Sequence, residues 1–294
     1  MFHFGNGFPN RFSGEARTIA SGAIEVSPYW HQCDAVMPET FGNFCVFGDN
    51  RSREVAVIGD SHSMEIFWKM SDGLGKRPYA LQAFAWHGRP PFTDPTARGD
   101  SMGCGYFRDK SKTYILDNAR IGTVVFLANL PSYFDCTVKK HCLGSYENGP
   151  SYVRAQGTPD STNLMNKDID AYIAAGKKVI IMYPIPEMKW NVPWYMTSRL
   201  RFSQSLDETA VPFGLHKARA QKAIAFIDQE GRKPYVTTVN PVDPLCSRGA
   251  KSHCVGQING VPLYYDQGHL NGTGANMVAG QIFSILDSQA RDGL

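Results

Sequence analysis

Five short apolar runs constrain this chain most: EVAVIG (54–59), PYALQAF (78–84), TVVFLA (123–128), KVIIMY (178–183) and PYVTTV (234–239). Strands buried on both faces look like this, and they belong to parallel sheets covered by helices on each side. Helical stretches fall between and after them, near 62–73, 108–119, 161–175, 214–229 and 272–289. Asp160 and Ser161 read as caps, and Gly176 and Gly231 stand where a helix should end. The β-α order, repeated five times, predicts a three-layer α/β/α fold with a five-stranded parallel sheet. In such a fold ligands sit at the carboxyl ends of the strands. Residues 1–52 are aperiodic and carry Pro and aromatic residues, so the expected organisation is an extension over 1–52 and a domain over 53–294. The extension either covers a sheet edge as a lobe or trails as a linker.

Composition narrows the partners. The chain has 294 residues, 43% of them hydrophobic, which is ample for a core. Thirty basic and 27 acidic side chains leave a net charge of +3 with no Lys/Arg block, so no nucleic-acid partner is expected. No apolar run approaches the roughly 20 residues that span a bilayer, and MFHFGNGFPNRFSG lacks the apolar core of a signal peptide. A soluble piece cut from a longer exported protein is the expectation.

Six of the seven cysteines fall into short-range couples: Cys33 with Cys45, Cys136 with Cys142, and Cys246 with Cys254; Cys104 is left over. Short loops rich in Gly, Lys and Ser close easily, each disulfide contributing about 2–3 kcal/mol on the chain-entropy model. This usage implies an oxidising compartment. Zinc is the rival, because His141 and His253 each precede a cysteine. Neither couple has the gap of about two to four residues usual in zinc knuckles, so no metal is expected.

Polar groups collect on the predicted rim: Gly59, Asp60 and Ser61 after the first strand, Asn129 after the third, PIPEMKWNVPWY after the fourth and YYDQGHLNGTGA before the last helix. A serine at the amino end of a helix exposes its Oγ beside N–H groups and a dipole that favour an oxyanion. Serine is equally a favoured helix cap, so the first motif leaves both roles open. The second adds a base with its orienter: Asp266-Gln-Gly-His269 sets a carboxylate three residues before an imidazole on one turn, free to hold Nδ1 and leave Nε2 for the serine. His62 and His87 read as wall or surface residues. His3, His31, His141, His216 and His253 read as lying off the rim or in loops.

GDSH after the first strand, Asn129 after the third and DQGHL before the terminal helix together resemble the SGNH (GDSL-like) hydrolase family. GDSH, RPPF (89–92), the LC…C segment and YYDQGHLNGTGA narrow the resemblance. They are similar to the SGNH domain fused behind acyltransferase-3 membrane domains in bacterial surface-polysaccharide O-acetyltransferases, O-antigen acetyltransferases among them. The resemblance spans 52 to about 290 and implies a flavodoxin-like SGNH fold with Ser61 as nucleophile, His269 as general base and Asp266 as its orienter. The implied oxyanion hole is the Ser61 N–H, a glycine N–H taken as Gly88 (alternatives Gly103 or Gly105) and the Asn129 side chain. The residues around Asn129, LANLP, depart from the family's usual Gly-x-Asn-Asp. Residues 1–52 would then join a membrane domain.

Trp190, Trp194 and Tyr195, with Tyr133 and Phe134, fall on the predicted rim and read as a stacking platform for a sugar, or as lid and core packing. The resemblance implies a periplasmic domain tethered to the inner membrane. It takes acetyl from the membrane domain, ultimately from acetyl-CoA, with no resident cofactor, and places it on a glycan such as lipopolysaccharide O-antigen. A carbohydrate esterase and a catalytically silent glycan-binding module are the alternatives.

Overall fold

The structure, a computed structural model, describes residues 14–29, 33, 45–49, 53–86, 91–92, 104–134, 161–206, 209–247 and 252–291. The five apolar runs become β2 (Arg53–Gly59), β3 (Tyr79–Ala85), β4 (Ile121–Leu127), β5 (Lys178–Met182) and β7 (Val236–Val239). They are parallel, in the spatial order β3-β2-β4-β5-β7, and a short strand β1 (Val46–Phe47) adds an antiparallel edge beside β3. Side chains alternate between two cores. Val55 and Val57 face one cluster with Leu81, Val125 and Ile180; Ala56 and Ile58 face the other with Phe84, Val124 and Ile181.

Helices α2 (Ser61–Gly73) and α10 (Gly272–Arg291) cover the first face through Met64, Phe67, Val278 and Ile282. The second face takes α4 (Leu130–Phe134), α5 (Ser161–Ala174) and α8 (Gln221–Glu230), through Leu130, Ile169 and Ile227. The stretch expected as one helix over 214–229 is two, α7 (Phe213–Arg219) and α8, because the backbone leaves helical geometry at Ala220 (φ −100°, ψ 11°). The helix expected at 108–119 is α3 (Cys104–Asp117), which starts and ends earlier. Among the described residues no helix is long and apolar enough to cross a membrane.

The described part of the extension is packed. Helix α1 (Gly14–Gly22) lies against α6 (Val192–Arg201) and against β10 (Val261–Pro262), which forms a hairpin with β9 (Gln257–Ile258). Glu25 accepts hydrogen bonds from the Thr273 N–H and hydroxyl, satisfying first-turn donors of α10. Cys33–Cys45 and Cys246–Cys254 are disulfides. The third expected couple, Cys136 and Cys142, lies outside the described residues. Cys254 is in β8 (His253–Val255), which pairs with β6 (Ala210–Pro212).

Parallel strand order reverses at β2: the chain crosses to β3 on one side and returns to β4 on the other. Such a switch point opens a crevice at the carboxyl ends of the two strands. Gly59 is in register with Leu127, so the segments after β2 and β4 emerge side by side.

Candidate active site

The crevice is built on a tight strand-to-helix turn. A Cβ at Gly59 would sit 2.1 Å from the Leu127 carbonyl and 2.4 Å from Ser63 Cβ, so only glycine allows β2 and β4 to approach this closely. The N-cap of α2 is Asp60, whose Oδ1 accepts from the His62 N–H at 2.9 Å. Ser61 is therefore the first helical residue and not the cap. Its N–H is one of the first-turn donors that a helix leaves without an intrahelical acceptor.

Asp60 also ties the next loop down. Oδ2 accepts from the Asn129 N–H at 2.9 Å and from the Tyr133 hydroxyl at 2.6 Å. Burial would raise this carboxyl, but the hydrogen bond and charge of His62, with the bonds from Tyr133 and Asn129, hold it below its usual value. One buried carboxylate thus fixes the helix terminus and the β4–α4 loop relative to each other.

Ser61 Oγ lies 2.8 Å from His269 Nε2, and His269 Nδ1 lies 2.7 Å from Asp266 Oδ2. Asp266 Oδ1 accepts from the Gly268 and His269 N–H groups, both at 2.7 Å, so the Asp-Gln-Gly-His turn closes on its own carboxylate. These bonds and the neighbouring imidazole keep the Asp266 carboxyl below its ordinary value against the upward pull of burial. An ionised Asp266 accepts from Nδ1–H, which leaves Nε2 to accept from the serine hydroxyl.

The segment after β5 braces that turn. The Met188 N–H donates to the Gln267 carbonyl at 2.7 Å, the Val192 N–H to that of Asp266 at 3.1 Å, and the Tyr264 hydroxyl to that of Pro186 at 2.7 Å. Two rings stack on the imidazole: His62 at 4.2 Å between centroids and Tyr265 at 5.3 Å, inclined by 30° and 12°. His62, expected as a wall or surface residue, is a buried wall of the site. Burial would lower its pKa, but the negative charge of Asp60, with Glu187 and Asp266 near, raises it above the usual value.

The other expected site residues divide. Asn129 borders the site, and its Nδ2 donates to Glu187 Oε1 at 3.1 Å. Gly88 and Gly103 lie outside the described residues, and Gly105 is in the first turn of helix α3. Trp190 stacks on Tyr195 at 4.1 Å, and Trp194 is 68% exposed at the start of α6. Tyr133 corrects the sugar-platform reading: its ring is buried and its hydroxyl is turned onto Asp60. Phe134 is likewise buried, edge-on to Phe226. Among the described residues no three His, Cys, Asp or Glu side chains are placed to hold a metal ion.

No sequence motif assigns a role to Asp60, Glu187 or Arg219, the last of which pairs with the Glu187 carboxylate. A lone acidic residue directly after the second of two prolines at a strand's carboxyl end, as in PIPEMK, is the available signal for Glu187.

A family model described as "SGNH domain (fused to AT3 domains)" matches residues 32–283. The chain belongs to this SGNH family. As an SGNH domain it shares its fold with the lipopolysaccharide acetyltransferase periplasmic domain of Salmonella ser. Paratyphi A, at TM-score 0.60 and 14% identity, over 96% of this chain and 100% of that one. A GDSL-like lipase from Bacteroides thetaiotaomicron matches at TM-score 0.44 and 11% identity, over 82% of this chain and 91% of that one. The catalytic domain of Streptococcus pneumoniae peptidoglycan O-acetyltransferase A matches at TM-score 0.39 and 13% identity, over 82% and 96%. No curated protein matches the sequence.

Proposed function

We propose that this SGNH domain is an acyltransferase that carries an acetyl group on Ser61 and passes it to a sugar hydroxyl of a bacterial surface polysaccharide. The observation that carries the reading is the unbroken chain from Ser61 Oγ through His269 to Asp266, at 2.8 and 2.7 Å, opening on the switch-point crevice.

Each residue has a task. Ser61 Oγ attacks the acyl carbonyl while its proton passes to His269 Nε2, and Asp266 stabilises the imidazolium through Nδ1–H. The tetrahedral oxyanion is met by the Ser61 N–H at the positive end of α2 and by the Asn129 amide. Collapse breaks the bond to the leaving group, which takes the proton from Nε2, and Ser61 keeps the acyl group as an ester. The acceptor hydroxyl then attacks that ester, giving its proton to Nε2. When the acyl–Oγ bond breaks, the proton returns to Ser61.

Fusion to AT3 domains is part of the family's description. On this reading residues 1–52 join such a membrane domain, which delivers acetyl originating from acetyl-CoA to a periplasmic site. The Salmonella domain of the same fold belongs to a lipopolysaccharide acetyltransferase, so an O-antigen sugar is the first acceptor to try.

Hydrolysis of a chromogenic acetyl ester by wild type, Ser61→Ala and His269→Ala, with and without glycan acceptor, tests the reading. Loss of either residue should lower turnover by about 10⁴–10⁶-fold, and acceptor should divert acetyl from water to sugar. Full serine dependence with no diversion would make the domain an esterase. Equal rates in all three proteins would sink the acyl-serine route.

A further inference from the structure

Asn129 is held from two sides. Its main-chain N–H donates to Asp60 Oδ2 at 2.9 Å and its side-chain Nδ2 to Glu187 Oε1 at 3.1 Å. A carboxylate only accepts, so Glu187 dictates which end of the Asn129 amide faces it, the nitrogen and not the oxygen. An amide nitrogen carries two hydrogens, and one is left over.

Glu187 is itself fixed. Its other oxygen, Oε2, pairs with Arg219 Nη2 from α7, and the next residue is pinned by the Met188 N–H to Gln267 bond at 2.7 Å. A Cβ added at Gly268, on the Asp266–His269 turn, would lie 3.7 Å from both Glu187 Cγ and His62 Nε2. Glu187 therefore reaches the β4–α4 loop, the Asp-Gln-Gly-His turn and α7 at once. A carboxylate so near a developing oxyanion would oppose it unless neutralised, and the Arg219 guanidinium supplies that charge.

We propose that Glu187 is a positioning residue of the oxyanion hole: it takes one Nδ2–H of Asn129 so that the other is presented to the oxyanion, and Arg219 holds Glu187 in place. The proposal rests on the acyl-serine reading above. Without the Glu187 acceptor the amide is free to turn and offer its carbonyl oxygen to a negative charge. The transition state then loses a donor and gains a repulsion, while ground-state binding changes little.

The test uses the whole chain, with kcat and KM for a chromogenic acetyl ester, the rate of Ser61 labelling by phenylmethanesulfonyl fluoride, and thermal unfolding as a check on folding. Asn129→Ala should lower kcat by about 10²–10³-fold. Glu187→Ala should lower it by roughly 10–100-fold with KM within about threefold, and labelling should slow in parallel. Glu187→Gln, which keeps an acceptor oxygen without the charge, should recover most of the rate. The double variant Asn129→Ala/Glu187→Ala should be no slower than Asn129→Ala alone, because both changes remove one device.

Losses that multiply in the double variant, a Glu187→Gln as slow as Glu187→Ala, or an unimpaired Glu187→Ala would each overturn the proposal. If Glu187→Ala does not fold, Arg219→Met replaces it: a roughly threefold to tenfold loss that vanishes in the Asn129→Ala background supports the proposal, and one that persists there overturns it. Ser61→Ala in the same assay separates the two levels. An active Ser61→Ala removes the acyl-serine reading and this proposal together. An inactive Ser61→Ala beside a fully active Asn129→Ala removes only this one.

Discussion

The two ends of the same central strands both bury charge and use it differently. At the amino ends, Glu54 at the start of β2 is buried, accepting from Arg120 Nη2 at 2.6 Å and Asn118 Nδ2 at 2.9 Å. Lys177, before β5, donates to the carbonyls of Asn118 and Ile121 at 3.1 and 2.8 Å. These groups pair with one another and with main-chain carbonyls beside the strand starts. At the carboxyl ends the chain of bonds runs from Asp266 through His269 and finishes on a serine hydroxyl. Beside it the buried His62 ring has no hydrogen-bond partner on either nitrogen, its nearest carboxylate oxygen being Asp60 Oδ1 at 3.5 Å. Burial of charge alone therefore does not mark a site. What marks it is a polar chain that ends on a group available to something outside the protein.

Ser61→Ala puts that contrast to its strongest test. It should abolish ester turnover by about 10⁴–10⁶-fold while moving the unfolding midpoint by no more than a surface change would. A large drop in stability would show the serine to be part of the packing, as Glu54 is.

His216 gives the next largest effect. It lies in α7, three residues before the arginine that holds Glu187, and burial, with the charge of Arg219, pushes its pKa down to about 4. The unfolded chain takes up this proton near pH 6.5 and the folded one only near 4, so stability should fall as pH drops through that window. The loss should reach about 2–4 kcal/mol, and the fall should be much shallower in His216→Leu. Asp60 and Asp266 behave otherwise. Their folded values lie below 3.8, so their contribution persists through this window and is lost as pH falls through those lower values. Urea unfolding of wild type and variant at pH 4.5 and 7.5 measures the difference; equal slopes would mean that His216 is not buried as a neutral base.

Glu54→Ala is the counterpart at the amino ends. Removing the acceptor of Asn118 and Arg120 should cost about 1–3 kcal/mol by chemical denaturation and leave kcat unchanged. An activity loss exceeding the loss of folded protein would break the division between the two ends. The smallest effect belongs to Trp194→Ala. A ring 68% exposed contributes little to folding, so stability should change by less than about 0.5 kcal/mol. Only the concentration dependence on glycan acceptor should respond if the ring stacks on sugar, which acceptor titration reads directly.

The parts legible in the sequence were those with local causes. Five continuous apolar runs announced five covered strands, and each observed strand falls within two residues of its expected start. Asp266 and His269 could be paired on paper because they share one turn. Helix α6 also had a local signal that went unread: Asn191 caps it by accepting from the Trp194 N–H at 3.0 Å, and Pro193 stands in its first turn. Tyr133 was misplaced because a rim position says nothing of which way a ring turns, and its hydroxyl finds Asp60, 73 residues earlier.

By itself the sequence determined the layer architecture, because strand and helix periods and turn residues act over a few positions. It also determined which serine, histidine and aspartate were candidates for chemistry. Only the tertiary structure decided that Asp60 and not Ser61 caps the helix, that His62 and Tyr265 stack on His269, and that Glu187 joins Asn129 to Arg219. Those contacts mostly link residues tens to hundreds of positions apart. No local pattern records them, since they exist only once the sheet has brought the ends of β2, β4 and β5 together.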